Sequence, residues 1–243
     1  MEDWLERTEL LIGKSKIETL KKAHVLIVGL GGIGSFAGEF IARAGVGTIT
    51  LIDGDSFDIT NKNRQLTATN STINRNKAVV LAERLKEINQ DITLNIIEEF
   101  VLPPRVWEIL AKHNPDYVMD CIDSVTPKLE WIKACIRLKT PIISHMGAGG
   151  KMDPSKVQIS KLENTNNCKL ARHIKKRLTR DKIGYKRVKA VFSSEVQAKE
   201  SLKMTDGKNY KRSFYGTISY MPALFGLYGA AEVIRQITKD NIV

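Results

Sequence analysis

Over the first 150 residues, short apolar runs alternate with amphipathic stretches. Residues 23–28 (AHVLIV) form the β-branched run that a strand buried on both faces requires. Residues 35–44 have helical spacing and stop at Gly45, a residue type favoured just past a helix end. Residues 48–52 (TITLI) complete a βαβ unit. Residues 77–89 place Ala78, Leu81, Ala82, Leu85 and Ile88 on one helical face with charges opposite. The pattern then predicts a strand at 93–97, a helix at 104–112, a strand at 117–119, a helix at 128–138 and a strand at 141–144. This alternation predicts an α/β fold of Rossmann type: an open, mostly parallel sheet with its ligands at the carboxyl ends of the strands.

After Lys151 the rhythm changes. A strand at 157–162, a basic helix at 170–178 and a strand at 188–193 extend the sheet, residues 200–212 read as a polar loop, and 216–237 return to the core as the last helix. The expectation is one domain, 1–243, with a nucleotide-binding half (1–150) and a basic crossover half (151–243). The longest uncharged run, 213–231, is interrupted by Pro222 and diluted by three glycines, two serines, a threonine and three tyrosines. It reads as a buried loop and core helix, so no membrane span is predicted. The first residues, MEDWLERTELL, lack the basic and apolar regions of a signal peptide.

Cys121, Cys135 and Cys168 form no CxxC pair, which removes a disulfide framework and a tetra-cysteine zinc site and fits a reducing cytoplasm. The net charge of +11 is confined to one stretch. Residues 161–212 hold 16 Lys and Arg against five Asp and Glu, while the rest of the chain balances at 22 of each. Such concentration favours a polyanionic partner, and nucleic acid above all. Arg172, Lys175, Lys176 and Lys182 recur at helical spacings, so several of them are expected to share a face.

The candidate chemistry begins at Gly29-Leu30-Gly31-Gly32-Ile33-Gly34, directly after the first strand. Glycines at 29, 31 and 34 permit a tight turn and let a pyrophosphate approach a helix N-terminus. Asp53, closing the second strand, is placed for a ribose hydroxyl. The loop alone fits NAD, FAD or ATP. The polar residues that follow distinguish them: Asp55, Asn61, Arg64, Gln65, Lys77 opening the next helix, and Asp123 after a third strand. Arg64 and Lys77 are suited to charge on a triphosphate, and Asp123 to Mg²⁺. Each has a plain alternative role, Asp55 as a strand terminator, Lys77 at a solvated helix end and Asp123 as a helix cap. Together around one glycine loop they point to ATP.

These residues resemble the ubiquitin-activating-enzyme-like adenylating family, through GLGGIGS (29–35), LIDGDSFDITNKNRQ (51–65), Lys77 and DCIDSV (120–125). GAGGKMDPSKVQISKLENT (147–165), KAVFSSE (189–195) and GTISYMPALFGLYGAAEVI (216–234) narrow the resemblance to its tRNA threonylcarbamoyladenosine dehydratase branch. The resemblance implies a homodimer, with Arg7 donated to the partner's ATP. It implies a nucleotide lined by Asp53, Asn61, Arg64, Gln65, Lys77 and Asp123, and a structural alkali-metal ion in some members. It also implies a substrate: a modified adenosine beside the tRNA anticodon, whose carboxylate is adenylated and then closed into a ring. The alternative within the family is adenylation of the C-terminus of a ubiquitin-like or sulfur-carrier protein, whose enzymes usually carry two CxxC zinc pairs that this chain lacks. Outside it stand an NAD-dependent oxidoreductase and a non-catalytic tRNA-binding protein. Cys168, followed by KLARHIKK, reads as structural, because ring closure needs no enzyme nucleophile. His145 either approaches the substrate or lies in the core.

Overall fold

The computed structural model describes residues 4–204 and 213–239. Two helices that periodicity did not predict, α1 (Glu6–Ile12) and α2 (Lys14–Lys22), lead into β1 (His24–Val28). Then follow α3 (Gly34–Arg43), β2 (Thr48–Ile52), α4 (Lys77–Ile88), β3 (Thr93–Ile97), α5 (Pro103–His113), β4 (Tyr117–Asp120), α6 (Val125–Leu138) and β5 (Ile142–His145). The second half adds β6 (Val157–Lys161), α7 (Lys169–Arg180), β7 (Lys189–Ser193), β8 (Leu202–Met204), β9 (Ser213–Tyr215) and α8 (Tyr220–Ile237). The predicted polar loop at 200–212 is corrected in part. Leu202–Met204 pairs antiparallel with Ser213–Tyr215, and residues 205–212 lie outside the described residues.

The main sheet has seven strands in the order β3-β2-β1-β4-β5-β7-β6, all parallel except β6, which runs antiparallel to β7. Alternation along β1 sends Val25 and Ile27 into a core shared with α2, α3, α4 and α8. Leu26 and Val28 enter a second core under α5, α6 and α7. Burial on both faces explains why β1 is apolar throughout Val25 to Val28. Successive strands leave β1 in opposite directions, so a crevice opens between the carboxyl ends of β1 and β4, where such sheets bind ligands.

The last helix closes that core by close approach. A side chain at Gly226 would put its Cβ 2.6 Å from the Ile33 carbonyl oxygen, and one at Gly229 would lie 2.0 Å from His145 Nε2. Among the described residues no helix is long and apolar enough to cross a membrane.

Candidate active site

A cavity of about 510 Å³ occupies the crevice. The glycine loop forms one wall and is locked by its own geometry. Gly29 has φ +84°, and a Cβ there would lie 3.0 Å from the Cys121 carbonyl carbon. A Cβ on Gly34 would lie 1.9 Å from the Gly29 carbonyl oxygen, so no side chain fits at this position. Gly34 therefore shapes the loop from behind, while Gly29, Gly31 and Gly32 line the cavity. No side chain caps α3; its Ser35 amide donates to the Gly31 carbonyl at 3.1 Å, and the positive end of the helix faces the loop, where an anion is favoured.

Asp53 fixes the loop: its Oδ2 accepts the Leu30 amide at 2.6 Å and its Oδ1 the Asp55 amide at 2.9 Å. Burial raises its carboxyl above the usual value, against the pull of Lys77 and those two amides. Lys77 is the first residue of α4, whose N-cap Asn76 accepts the Ala78 and Val79 amides. Its ammonium is 2.5 Å from Asp55 Oδ2, with side-chain exposures of 6% and 53%. A cation buried at the cavity wall is thus neutralised by a carboxylate free to swing into solvent.

Asn61, Arg64 and Gln65 come from one short turn. Asp58 and Asn61 cap it reciprocally, Asp58 accepting from Thr60 and Asn61 Oδ1 from the Asp58 amide. Arg64 Nη1 donates to the Thr60 carbonyl at 3.0 Å and to Asn63 Oδ1 at 2.8 Å. Burial holds the Arg64 guanidinium below its ordinary value, opposed by the charge of Asp123. Gln65 is 6% exposed, and its Oε1 has no hydrogen-bond partner among the described residues, leaving a polar atom for a ligand. Asp123 is exposed at the rim and accepts the Ser124 hydroxyl at 3.3 Å. The helix cap at that end is Ser124, so Asp123 is not spent as a cap.

Asp53, Asp55, Asn61, Arg64, Gln65, Lys77 and Asp123 all line this one cavity. Arg7 does not: it lies exposed on α1, outside the lining. Glu99, Phe100, Val101 and Leu102 after β3 and Trp131 on α6 line it as well and carried no motif, and Thr217, from the 216–234 motif, joins them before α8. The rule that ligands collect at strand carboxyl ends would have found the first four. Gly54 lets that segment in, since a Cβ there would sit 2.4 Å from the Phe100 nitrogen.

His145 belongs to the core. It is 1% exposed, its Nδ1 lies 3.0 Å from the Asp120 carbonyl oxygen, and burial pushes it down to about 3. Cys168 is buried in the core under α7. Lys151 is also buried, its ammonium donating to the carbonyls of Ser193 at 2.5 Å and Asn167 at 3.3 Å.

The basic helix meets its expected pattern in part: Arg172 and Lys176 share a face, and Lys175 and Lys182 do not join them. α7 buries Ala171, Ile174 and Leu178, so its exposed face carries Lys169, Arg172, Lys176 and Arg180. Lys175 instead donates to the Thr165 carbonyl at 2.7 Å, Arg177 reaches Thr126, and Lys182 lies beyond the helix end with φ +55°. Lys169 holds the Tyr215 hydroxyl, and Tyr215 packs on Gly149 at the cavity wall. The basic face therefore begins at the mouth of the cavity.

The model of the ThiF family matches residues 5–243. This chain belongs to the ThiF family. It is similar to the Bacillus subtilis tRNA threonylcarbamoyladenosine dehydratase, 34% identical over 241 residues, which are 96% of this chain and 94% of that protein. The crystal structure of the Escherichia coli tRNA N6-threonylcarbamoyladenosine dehydratase TcdA in complex with ATP matches with a TM-score of 0.86 at 34% identity, over 98% of this chain and 96% of that one. The Escherichia coli sulfur carrier protein ThiS adenylyltransferase is 36% identical over only 137 residues, 56% of this chain and 54% of that protein. Likeness to the carrier-protein branch thus stops at about half the chain, and likeness to the tRNA-acting branch runs through the basic half of this ThiF chain as well.

Proposed function

We propose that this chain adenylates the carboxylate of threonylcarbamoyladenosine in tRNA with ATP and closes it into a ring with net loss of water. The observation that carries the reading is the cavity that gathers the glycine loop, Asp53, Arg64, Gln65, Lys77 and Asp123 from five separate chain segments. The full-length likeness to dehydratases supports the same reading.

In this reading a carboxylate oxygen attacks the α-phosphorus and pyrophosphate leaves. Lys77 exchanges Asp55 for phosphate oxygen, and Arg64 neutralises the charge that builds at phosphorus. An internal nitrogen or oxygen of the same group, losing its proton, then attacks the acyl carbon. AMP departs with one of the carboxylate oxygens. The substrate loses the elements of water and ATP accepts them. Asp123 supplies a hard carboxylate, and Mg²⁺ characteristically takes one or two of these plus phosphate oxygens. Such an ion would neutralise the leaving pyrophosphate.

A homodimer is part of the proposal. Helix α1 buries none of its residues, and beside Arg7 it presents Leu10 and Leu11 at 81% and 84% exposure. This apolar face suits a second subunit, whose nucleotide Arg7 would then reach. Mixing Arg7→Ala with Lys77→Ala subunits should restore activity that neither parent has. The free, buried thiols of all three cysteines suit a reducing cytoplasm. The reaction itself is tested by pyrophosphate release. It should require tRNA bearing threonylcarbamoyladenosine, and equal release with tRNA lacking that group would refute the assignment.

A further inference from the structure

A second and larger cavity, of about 990 Å³, lies beneath the amino ends of β4, β5 and β7, at the opposite edge of the sheet from the nucleotide site. Its floor includes the buried side chains of Tyr117, Ile142 and Val188. Its rim carries Lys22 from the end of α2, Lys139 just past α6, and Lys186 and Arg187 from the loop before β7. All four are exposed, and none has a side-chain hydrogen-bond or ion-pair partner among the described residues. Lys189 at the same edge is paired with Glu232. The one carboxylate of the lining, Asp116, accepts the His24 amide at 2.7 Å.

Helix dipoles account for part of this charge, since Lys22 and Lys139 sit at helix C-termini where cations are favoured. Lys186 and Arg187 lie at no helix end. Four like charges facing the single carboxylate of Asp116 leave the recess with a net positive charge that an anion would relieve.

We propose that this recess is a second RNA-binding site, taking backbone phosphates at its rim and an unstacked base on its apolar floor. The proposal rests on the tRNA reading above and extends it to the far edge of the sheet. Continuity of charge selects RNA over a small anion. From Lys169, at the mouth of the nucleotide cavity, the exposed face of α7 runs through Arg172 and Lys176 to Arg180. Lys182, Lys186 and Arg187 follow directly in the chain, the last two on the recess itself. Twelve helical residues span about 18 Å. A backbone leaving the nucleotide site along α7 therefore arrives at the recess. A lone phosphate would use one or two of these cations and needs no such track. Stacking of unpaired bases on apolar and aromatic surface is the usual partner of phosphate binding in RNA recognition.

The test is tRNA binding over a salt series by the triple variant Lys139→Glu, Lys186→Glu, Arg187→Glu, beside Arg172→Glu, Lys176→Glu, Arg180→Glu on α7. The triple alanine version of the recess variant serves as a control free of new charge. Both recess variants should bind tRNA about tenfold or more weakly, and the alanine version should lower the log–log salt slope by about 0.7 to 0.9 for each phosphate left without its cation. ATP affinity and the mass by light scattering should not change. If the recess variants bind like wild type while the α7 variant is weakened, the recess proposal falls and the tRNA reading stands. If neither set is weakened, both fall. A change in mass with unaltered tRNA affinity per particle would make the recess an interface between copies and overturn the proposal.

Discussion

Replacing Lys77 with alanine should separate catalysis from folding. Its side chain is 6% exposed and is held by one ion pair, to an Asp55 carboxylate that is 53% exposed. Pairs with so exposed a partner contribute about 0.2 to 1 kcal/mol, because water takes over the released charge. The Asp55 carboxylate is then left in water, while Asp53 loses the cation that opposes the effect of its burial. The fold should therefore lose about 1 to 2 kcal/mol. The transition state should lose much more. Removing one preorganised group from a developing oxyanion typically costs about 10²- to 10³-fold in turnover, or about 2.7 to 4 kcal/mol. Steady-state AMP formation at saturating ATP reads the second quantity, and denaturant melts without nucleotide read the first. Asp55→Asn frees the ammonium from its resting partner, so it should keep most turnover and tighten ATP binding. A Lys77→Ala enzyme within threefold of wild type would refute the role. So would a stability loss matching the rate loss, since Lys77 would then be a structural residue.

Gly34→Ala should abolish measurable ATP affinity by equilibrium dialysis, because the added methyl would stand 1.9 Å from the Gly29 oxygen; retained affinity would mean that the loop does not hold the phosphates. Cys168→Ala should keep turnover within a few-fold, whereas complete loss with normal ATP binding would point to a thioester route. His145 titrates at about 3 in the fold against about 6.5 unfolded, so the unfolded chain binds more protons between those values. Its contribution to stability is therefore constant above pH 6.5 and falls as pH drops, by about 2 kcal/mol between pH 6.5 and 5. Urea melts of wild type and His145→Asn should show the acid-side loss shrinking in the variant, and identical slopes would refute this.

The strand order and the site were legible to different degrees, for physical reasons. Strands β1, β2 and β4 are buried on both faces, so their apolar runs stood out, and the glycine loop followed from a turn that excludes side chains. Asp53, Lys77 and Asp123 could be picked out because each follows a strand or opens a helix beside that loop, and Arg64 because it is a cation in the polar run after β2. Helices α1 and α2 escaped because α1 buries none of its residues and leaves no periodic apolar stripe. Phe100, Leu102 and Trp131 escaped because apolar cavity walls look like core in one dimension. On α7, charge spacing put Arg172 and Lys176 together correctly but added Lys175, which the structure turns inward. Only the packing of Ala171, Ile174 and Leu178 fixes the rotation, and it turns Lys175 toward the carbonyls of Glu163 and Thr165.

The central claim is that this cavity dehydrates a nucleoside in tRNA at the expense of ATP. The most direct measurement is mass spectrometry of nucleosides from tRNA bearing threonylcarbamoyladenosine, after incubation with the protein with and without ATP. The account predicts that the modified adenosine loses the mass of one water only when ATP is present, with one AMP formed per nucleoside converted. Unchanged nucleoside alongside ATP-dependent adenylation of a carrier-protein C-terminus would contradict it.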